Sequence, residues 1–118
     1  DGEQTRDFVH VSDVVRANLL ASVAPAAVGR VINIASGQVI SINAVVDTLI
    51  ALTGATVTPH YAPPKTGDVR ESLADITLAR TLLGFEPTVA LREGLAGLVA
   101  ERRALAAARG KGQAPFRP

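Results

Sequence analysis

Two short stretches of this 118-residue chain carry side chains suited to holding an anion: residues 6–8, RDF, and residues 67–70, GDVR. An arginine guanidinium is a rigid fork of donors that fits a phosphate or a carboxylate in a bidentate manner. The glycine of the second stretch permits a tight turn, and Asp68 can accept hydrogen bonds from a hydroxyl group. In the first stretch, Arg6 could contact a phosphate while Phe8 packs on a base or a sugar. The two stretches together predict a site that holds a nucleotide diphosphate from two sides.

Taken singly, each stretch has a plainer interpretation. Asp68 and Arg70 can form a surface ion pair that braces the loop, and such pairs contribute little stability. Arg6 can likewise pair with Asp7 or Glu3 while the neighbouring phenylalanine joins the core. On these residues alone the plainer interpretation is favoured for each stretch.

Composition excludes several classes of function. The formal net charge is +1, and no aromatic residues alternate with basic ones, so we expect no nucleic-acid partner. Cysteine is absent, which excludes disulfides and thiolate metal sites. His10 and His60 stand alone without the spacing of metal ligands, so we expect no metal site.

The sequence also indicates where the protein resides and which residues build its core. No apolar run approaches the roughly 20 residues of a membrane span, and no signal peptide opens the chain. We therefore expect a cytoplasmic protein with no membrane partner. Because 47% of the residues are hydrophobic but only 3% are aromatic, the core must be built from Ala, Val, Leu and Ile.

Helix signals are clear in four places. The stretch after residue 11 has helical apolar spacing, with Ser12 or Asp13 available as its N-cap and a proline at residue 25 to close it. Ser41 and Gly54 bound a second helix. For the remaining two, the sequence predicts a short helix capped by Asp75 that stops at Gly84, and a long helix capped by Thr88 with Glu93 in or near its first turn.

Strand signals predict three extended segments: residues 8–11, residues 31–34 and the stretch around Val57. The sequence VINI at residues 31–34 suits a strand buried on both faces of a parallel sheet. Such a sheet would be larger than this chain can supply, and the chain opens inside a polar turn. The expected fold is α/β, with residues 1–109 as one portion and 110–118 as a flexible tail. The alternative is a small, self-contained α+β domain.

Three consecutive segments resemble the extended short-chain dehydrogenase/reductase family. They are DGEQTRDFVHVSDVVRANLLA, VINIASGQVISINAVVDTLIALTG and PPKTGDVRESLADITLARTLLGFEPTVALREGL. The strongest likeness is to sugar-nucleotide epimerases such as UDP-glucose and UDP-N-acetylglucosamine 4-epimerases. It runs in order up to the last helix and corresponds to the C-terminal third of such enzymes. The resemblance therefore implies the substrate-binding part of the fold, with one strand of an otherwise absent Rossmann sheet.

The resemblance also implies roles for five residues. Arg6 matches the arginine that contacts the nucleotide diphosphate, and Phe8 matches the aromatic position near the nucleotide. Asp68 matches the aspartate that reaches the ribose hydroxyls. Lys65 stands where many epimerases carry a phosphate-binding arginine, so the charge is kept but the fork is lost. Arg70 fits the GDVR form of the loop.

One further segment departs from the family pattern. The family motif N-x-G-x-G is matched by Asn33 and Gly37, but Ala35 replaces its first glycine. The backbone there must tolerate a methyl group. His10 matches a position filled by Tyr or His, for which a packed and hydrogen-bonded role is expected.

The catalytic parts of such enzymes are not found in this sequence. No glycine-rich turn for a dinucleotide is present, and the formal Tyr-x-x-x-Lys match, Tyr61 to Lys65, has two prolines that prevent the helix it needs. We expect no catalytic residues and no NAD bound by this chain alone. NAD would be bound in the parent enzyme, and the partners would be the nucleotide-sugar substrate and a missing N-terminal Rossmann portion or partner chain.

The leading prediction is the substrate-binding portion of an NAD-dependent sugar-nucleotide 4-epimerase, an isomerase, incomplete for catalysis alone. One alternative is the corresponding part of a related dehydratase or decarboxylase. Another is a binding or interaction module without chemistry. Binding of UDP, dTDP or GDP sugars would distinguish the last of these from the others.

Overall fold

The computed structural model describes residues 1–109 and contains four helices and two very short strands. The helices are α1 (Val11–Val23), α2 (Ile42–Thr53), α3 (Thr77–Leu83) and α4 (Leu91–Arg109). The strands β1 (Thr5–Arg6) and β2 (Ile40–Ser41) pair antiparallel, with Thr5 opposite Ser41 and Arg6 opposite Ile40. A 3-10 turn at Pro25–Ala27 follows α1. The predicted tail at 110–118 lies outside the described residues.

Helix α1 forms where the apolar spacing predicts it, but the predicted caps were wrong. The N-cap is His10, whose Nδ1 accepts a hydrogen bond from the backbone N–H of Ser12 at 3.2 Å. The Asp13 side chain is instead buried in the first turn. Its carboxylate accepts hydrogen bonds from the N–H groups of Thr88 and Val89, before α4. The helix ends at Val23, shortly before Pro25, as predicted.

Both boundaries of α2 and the end of α3 confirm the local signals. Ser41 caps α2 through its hydroxyl, and Gly54 ends it in the left-handed region at φ 70°. The predicted cap of α3 was wrong, because its N-cap is Ile76 without a side-chain cap bond; the carboxylate of Asp75 accepts from the N–H of Thr77 at 2.8 Å. Gly84, at φ 62°, ends that helix. Residues without a Cβ adopt this backbone conformation at little cost, which explains both stops.

Helix α4 begins later than predicted. Its first residue is Leu91, and Thr88 does not cap it, because the Thr88 hydroxyl donates to the Asp13 carboxylate at 2.8 Å. Glu93 lies in the first turn, as predicted. Helices α2 and α4 pack together, and Arg103 donates to the carbonyl of Thr53 at 3.0 Å.

The three predicted strands were wrong for this chain. Residues 8–11, 31–34 and the stretch around Val57 are not strands, and the single ladder joins β1 to β2 instead. A strand exists only through hydrogen bonds to a neighbouring strand, and no parallel neighbour lies within residues 1–109. Val31 is accordingly 91% exposed despite its strand-like sequence.

The buried core is small and lies between α1, α3 and the segment after residue 33. Its hydrophobic members are Ala17, Ala35, Ile76, Ala79, Leu83 and Phe85. The largest is an aromatic ring, Phe85, at a position where the composition led us to expect aliphatic residues only. The Cα radius of gyration is 17.9 Å, whereas a compact domain of about 100 residues has roughly 13 Å.

One face of α1 is apolar and exposed. Val11, Val15, Leu19 and Val23, spaced four residues apart, are each more than half exposed. A repeat of four places them along one side of the helix, away from the buried Ala17. Within residues 1–109, no helix has the length and hydropathy that a membrane span requires.

Candidate functional site

Arg6 and Asp68 join the two charged stretches into one site. Nη2 of Arg6 donates to Oδ1 of Asp68 at 2.7 Å. Nη1 of Arg6 donates to the carbonyl of Val69 at 2.6 Å and to that of Thr5 at 2.7 Å. The guanidinium therefore clamps the loop at residues 67–70 onto the N-terminal strand.

A backbone hydrogen bond strengthens the same junction. The side chain of Arg70 bonds to a different residue, at the N-terminus. The N–H of Thr5 donates to the carbonyl of Arg70 at 2.8 Å. Nη1 of Arg70 donates to Oδ2 of Asp1 at 3.0 Å. The surface pair between Asp68 and Arg70 that the plainer interpretation proposes is therefore absent from the described residues: each of the two bonds to the N-terminal segment instead.

A cavity of about 690 Å³ opens beside this junction. Lys65, Asp68 and Arg70 line one side, and the first turns of α2 and the loop around Tyr61 line the other. The Tyr61 hydroxyl donates to Oδ1 of Asn43 at 3.1 Å, which ties the loop to α2. The volume lies within the range of small-molecule sites, roughly 300–1,000 Å³.

The five residues predicted for the site do not all face this cavity. Lys65, Asp68 and Arg70 line it, and Arg6 reaches it through its bond to Asp68. Phe8 is half-buried and is not part of the lining, so its placement near a nucleotide stays a prediction.

Lys65 and Arg6 give the junction positive charge. Lys65 is exposed, and no carboxylate in the described part of the chain forms an ion pair with it. The Arg6 side chain is 29% exposed, so it is not closed off from solvent. Residues 61–65 form no helix, so Tyr61 and Lys65 do not lie on one helical face. No cluster within residues 1–109 could hold a metal ion.

Sequence reasoning missed the role of Asp7. Its Oδ1 accepts from the N–H and the hydroxyl of Ser36 at 2.7 and 2.5 Å, and its Oδ2 accepts from the N–H of Gly37 at 2.9 Å. Gly37 has φ +69°, and an added Cβ would lie 3.2 Å from Cδ1 of Ile76. An aspartate next to Arg6 was visible in the sequence, but nothing local indicated that its partner was 29 residues away.

Asp13 was also misjudged, because it links two elements and caps neither of them. Its carboxylate accepts from Arg16 Nη2 at 2.8 Å, from the N–H of Thr88 at 3.0 Å and from the N–H of Val89 at 3.1 Å. Burial by itself raises the pKa of Asp13, but these hydrogen bonds outweigh it and hold the pKa well below its usual range. The Arg16 guanidinium also lies 5.2 Å from the centre of the Phe85 ring.

The described residues do not fit the whole of an NAD site. A dinucleotide pyrophosphate needs a glycine-rich turn between a strand and a helix. The glycines with positive φ here lie at helix ends or in isolated turns.

Comparison with known proteins places these features in a family context. The model of the NAD dependent epimerase/dehydratase family matches residues 1–35. A UDP-glucose 4-epimerase from Mycolicibacterium smegmatis is 41% identical over 99 residues, which make up 84% of this chain and 31% of that protein.

Solved structures show the same partial likeness. The UDP-glucose 4-epimerase of Thermotoga maritima, solved with UDP-glucose, has a TM-score of 0.84 and 44% identity over 90% of this chain and 34% of its own. The Y149F mutant of UDP-glucuronic acid 4-epimerase from Bacillus cereus, in complex with UDP-4-deoxy-4-fluoro-glucuronic acid and NAD, has a TM-score of 0.82 and 33% identity. That match covers 89% of this chain and 34% of the Bacillus cereus chain.

The chain thus spans about one third of the length of the proteins it matches. The sequence-based prediction of the fold class is confirmed. By sequence and by structure, this chain has the mixed α/β fold of about one third of an extended short-chain dehydrogenase/reductase, similar to the NAD-dependent UDP-sugar epimerases.

Proposed function

We propose that this chain is the C-terminal, substrate-binding portion of an NAD-dependent UDP-sugar 4-epimerase. UDP-glucose is the first candidate substrate, because UDP-glucose 4-epimerases are among the proteins it resembles. UDP-N-acetylglucosamine is the second. The observation that carries the proposal is the contact between Arg6 and Asp68, which joins two charged stretches into one site beside a cavity.

In this proposal the nucleotide diphosphate binds the positively charged side chains at the junction of β1 and the loop. Arg6 exchanges the carboxylate of Asp68, which accepts one bond from Nη2, for a phosphate, an acceptor that suits a guanidinium. Lys65, without an ion partner in the described chain, supplies a second positive charge from the cavity wall. Asp68 is then released to accept hydrogen bonds from the ribose hydroxyls, while Phe8 packs near the nucleotide.

The nucleotide is remote from the bond that reacts, and its binding serves orientation. Contacts at the diphosphate hold the substrate while the sugar is free to present either face. NAD, when bound in the complete enzyme, supplies the hydride acceptor and donor for the sugar C4 position. The residues of this chain bind and orient the substrate and move no proton.

The exposed apolar stripe on α1 supports the same proposal. We assign its cover to the remaining two thirds of the polypeptide, in which the Rossmann sheet lies. The 91% exposed Val31 belongs to that interface, because its sequence suits a strand with parallel neighbours. A continuous apolar face of this kind rarely stays open to water in a complete protein.

The proposal is tested on the full reading frame that contains this segment. We expect codons upstream of Asp1 to encode a glycine-rich strand–turn–helix, and the expressed polypeptide to interconvert UDP-glucose and UDP-galactose. We expect Arg6→Ala to raise the KM for UDP-glucose by about tenfold or more, from the loss of a charged hydrogen bond.

Two outcomes would contradict the proposal. If the complete polypeptide neither epimerises nor binds UDP, dTDP or GDP sugars, the chain is an interaction module without this chemistry. If it acts on a sugar nucleotide but yields a 4-keto-6-deoxy or decarboxylated product, it belongs to a related dehydratase or decarboxylase.

A further inference from the structure

We propose that Asp7 is a positioning residue of the nucleotide-sugar site and acts through Arg6. This inference rests on the proposed function. The carboxylate of Asp7 makes three hydrogen bonds to the turn at Ser36 and Gly37, and it touches neither the cavity nor the loop at residues 67–70.

The first step of the argument is the direction of the side chains. Arg6 lies in β1 and Asp7 follows it directly. Successive side chains of an extended segment point to opposite sides. Arg6 reaches the loop on one side, with bonds to Asp68 and Val69, while Asp7 reaches the turn on the other.

The second step is that the ladder between β1 and β2 is too short to fix the direction of Arg6 by itself. The ladder between β1 and β2 is only two residues long, and an isolated two-stranded pair is marginally stable in water. Beyond the ladder, the N–H of Thr5 donates to the carbonyl of Arg70, which fixes β1 on the loop side. The three bonds of Asp7 provide a second anchor on the face opposite the guanidinium.

The third step is that the turn itself is firmly held. Ala35 is buried in the core, and the Ser36 hydroxyl accepts from the N–H of Gln38 at 3.2 Å. Gly37 adopts φ +69° against the side chain of Ile76, a position where any other residue would be strained. Asp7 therefore ties the strand that carries Arg6 to a turn that is itself packed against the core.

The test uses the complete polypeptide and a double-mutant cycle. Asp7→Asn keeps the shape of the side chain, but turns an amide N–H₂ toward backbone donors. We expect the KM for UDP-glucose to rise by about tenfold while kcat changes less than about twofold, since ground-state and transition-state binding are weakened alike. In an Arg6→Ala background, Asp7→Asn should raise the KM no further, because residues that act through one another are not additive.

Asp75→Asn is the matched control. It also removes a carboxylate that accepts a backbone N–H, at the start of α3, and it should leave the KM unchanged. If Asp7→Asn prevents folding, Ser36→Ala removes one of the three bonds and should raise the KM by about two- to fivefold.

Either of two results would overturn the inference while the proposed function stands. One is an unchanged KM in a folded Asp7→Asn enzyme. The other is full additivity of Asp7→Asn with Arg6→Ala, which would indicate general structural damage. A wild-type polypeptide with no sugar-nucleotide binding would instead overturn the proposed function itself.

Discussion

The guanidinium of Arg6 and the carboxylate of Asp68 meet at 2.7 Å although 62 positions separate them in the sequence. The same guanidinium donates to the carbonyl of Val69, so it holds both the side chain and the backbone of the loop. A single residue thereby joins the strand to the cavity wall. This geometry makes the contact both a structural clamp and, in the proposed function, the place where a phosphate enters.

The fork of Arg6 matters more than its charge. We expect Arg6→Lys in the complete polypeptide to raise the KM for UDP-glucose by about tenfold, because an ammonium cannot bond the loop carbonyl and a second acceptor with fixed geometry. Steady-state kinetics measure this change. Arg80→Lys is the control, since Arg80 makes one surface contact with Glu86 at 2.9 Å and lies outside the site. Equal effects of both substitutions would contradict the prediction.

Asp13 stabilises the fold by linking α1 to the segment before α4. We expect Asp13→Asn to lower the free energy of unfolding by about 3 kcal/mol, because the amide leaves buried N–H donors of Thr88 and Val89 without a full set of acceptors. Urea denaturation followed by circular dichroism measures it. Asp47→Asn, at an exposed position on α2, should change the stability by less than about 0.5 kcal/mol. A similar loss of stability in both variants would contradict a specific stabilising role for the buried hydrogen bonds of Asp13.

The stability should fall in acid, and the sign follows from Asp13. Its pKa in the folded state lies below the ordinary value of 3.8, so the unfolded chain takes up the proton first as the pH falls. The contribution of Asp13 is complete above about pH 5 and decreases below it. Asp75, whose pKa is lowered by hydrogen bonds from Thr77, acts in the same direction.

Denaturation at pH 7, 5 and 3 checks this dependence. The difference in stability between the wild type and Asp13→Asn should shrink toward pH 3. A difference that stays constant over this range would mean that the ionised carboxylate is not what stabilises the folded state.

Two glycines of α4 should respond oppositely to the same substitution. A Cβ at Gly94 would lie 2.9 Å from Cδ2 of His10, the residue that caps α1. We therefore expect Gly94→Ala to destabilise the protein by about 1 kcal/mol despite the better helix propensity of alanine. Gly97→Ala, with no atom within 4 Å of the new methyl group, should stabilise by up to about 1 kcal/mol. Thermal unfolding measures both, and a gain at Gly94 would contradict the tight contact.

The apolar stripe of α1 should contribute to the free energy of unfolding only in a polypeptide that buries it. Leu19 is 65% exposed in this chain, and we expect Leu19→Ser to lower the stability of the complete polypeptide by about 2 kcal/mol. Ser22→Ala on the same helix, whose hydroxyl bonds only to its own helix, should change it by less than about 0.5 kcal/mol. An unaffected Leu19→Ser protein would show that this face stays in water.

Local signals in the sequence determined much of this protein. Ser41 and Gly54 bound α2, and Gly84 ends α3, as predicted, because capping depends on atoms within a few residues of each helix end. The order of the charged motifs was enough to indicate the fold class, which the solved structures confirm. The roles assigned to Phe8 and to the other site residues remain predictions.

Tertiary structure decided which groups meet. Asp13 and Thr88 looked like helix caps but bond to each other, and Asp7 found its partners in a distant turn. Residues 31–34 have the composition of a buried strand but form none here, because a strand requires a neighbour that the described residues do not offer. A helix closes its hydrogen bonds within a few residues of itself, whereas a strand, a buried carboxylate and a binding site depend on segments brought together by the fold.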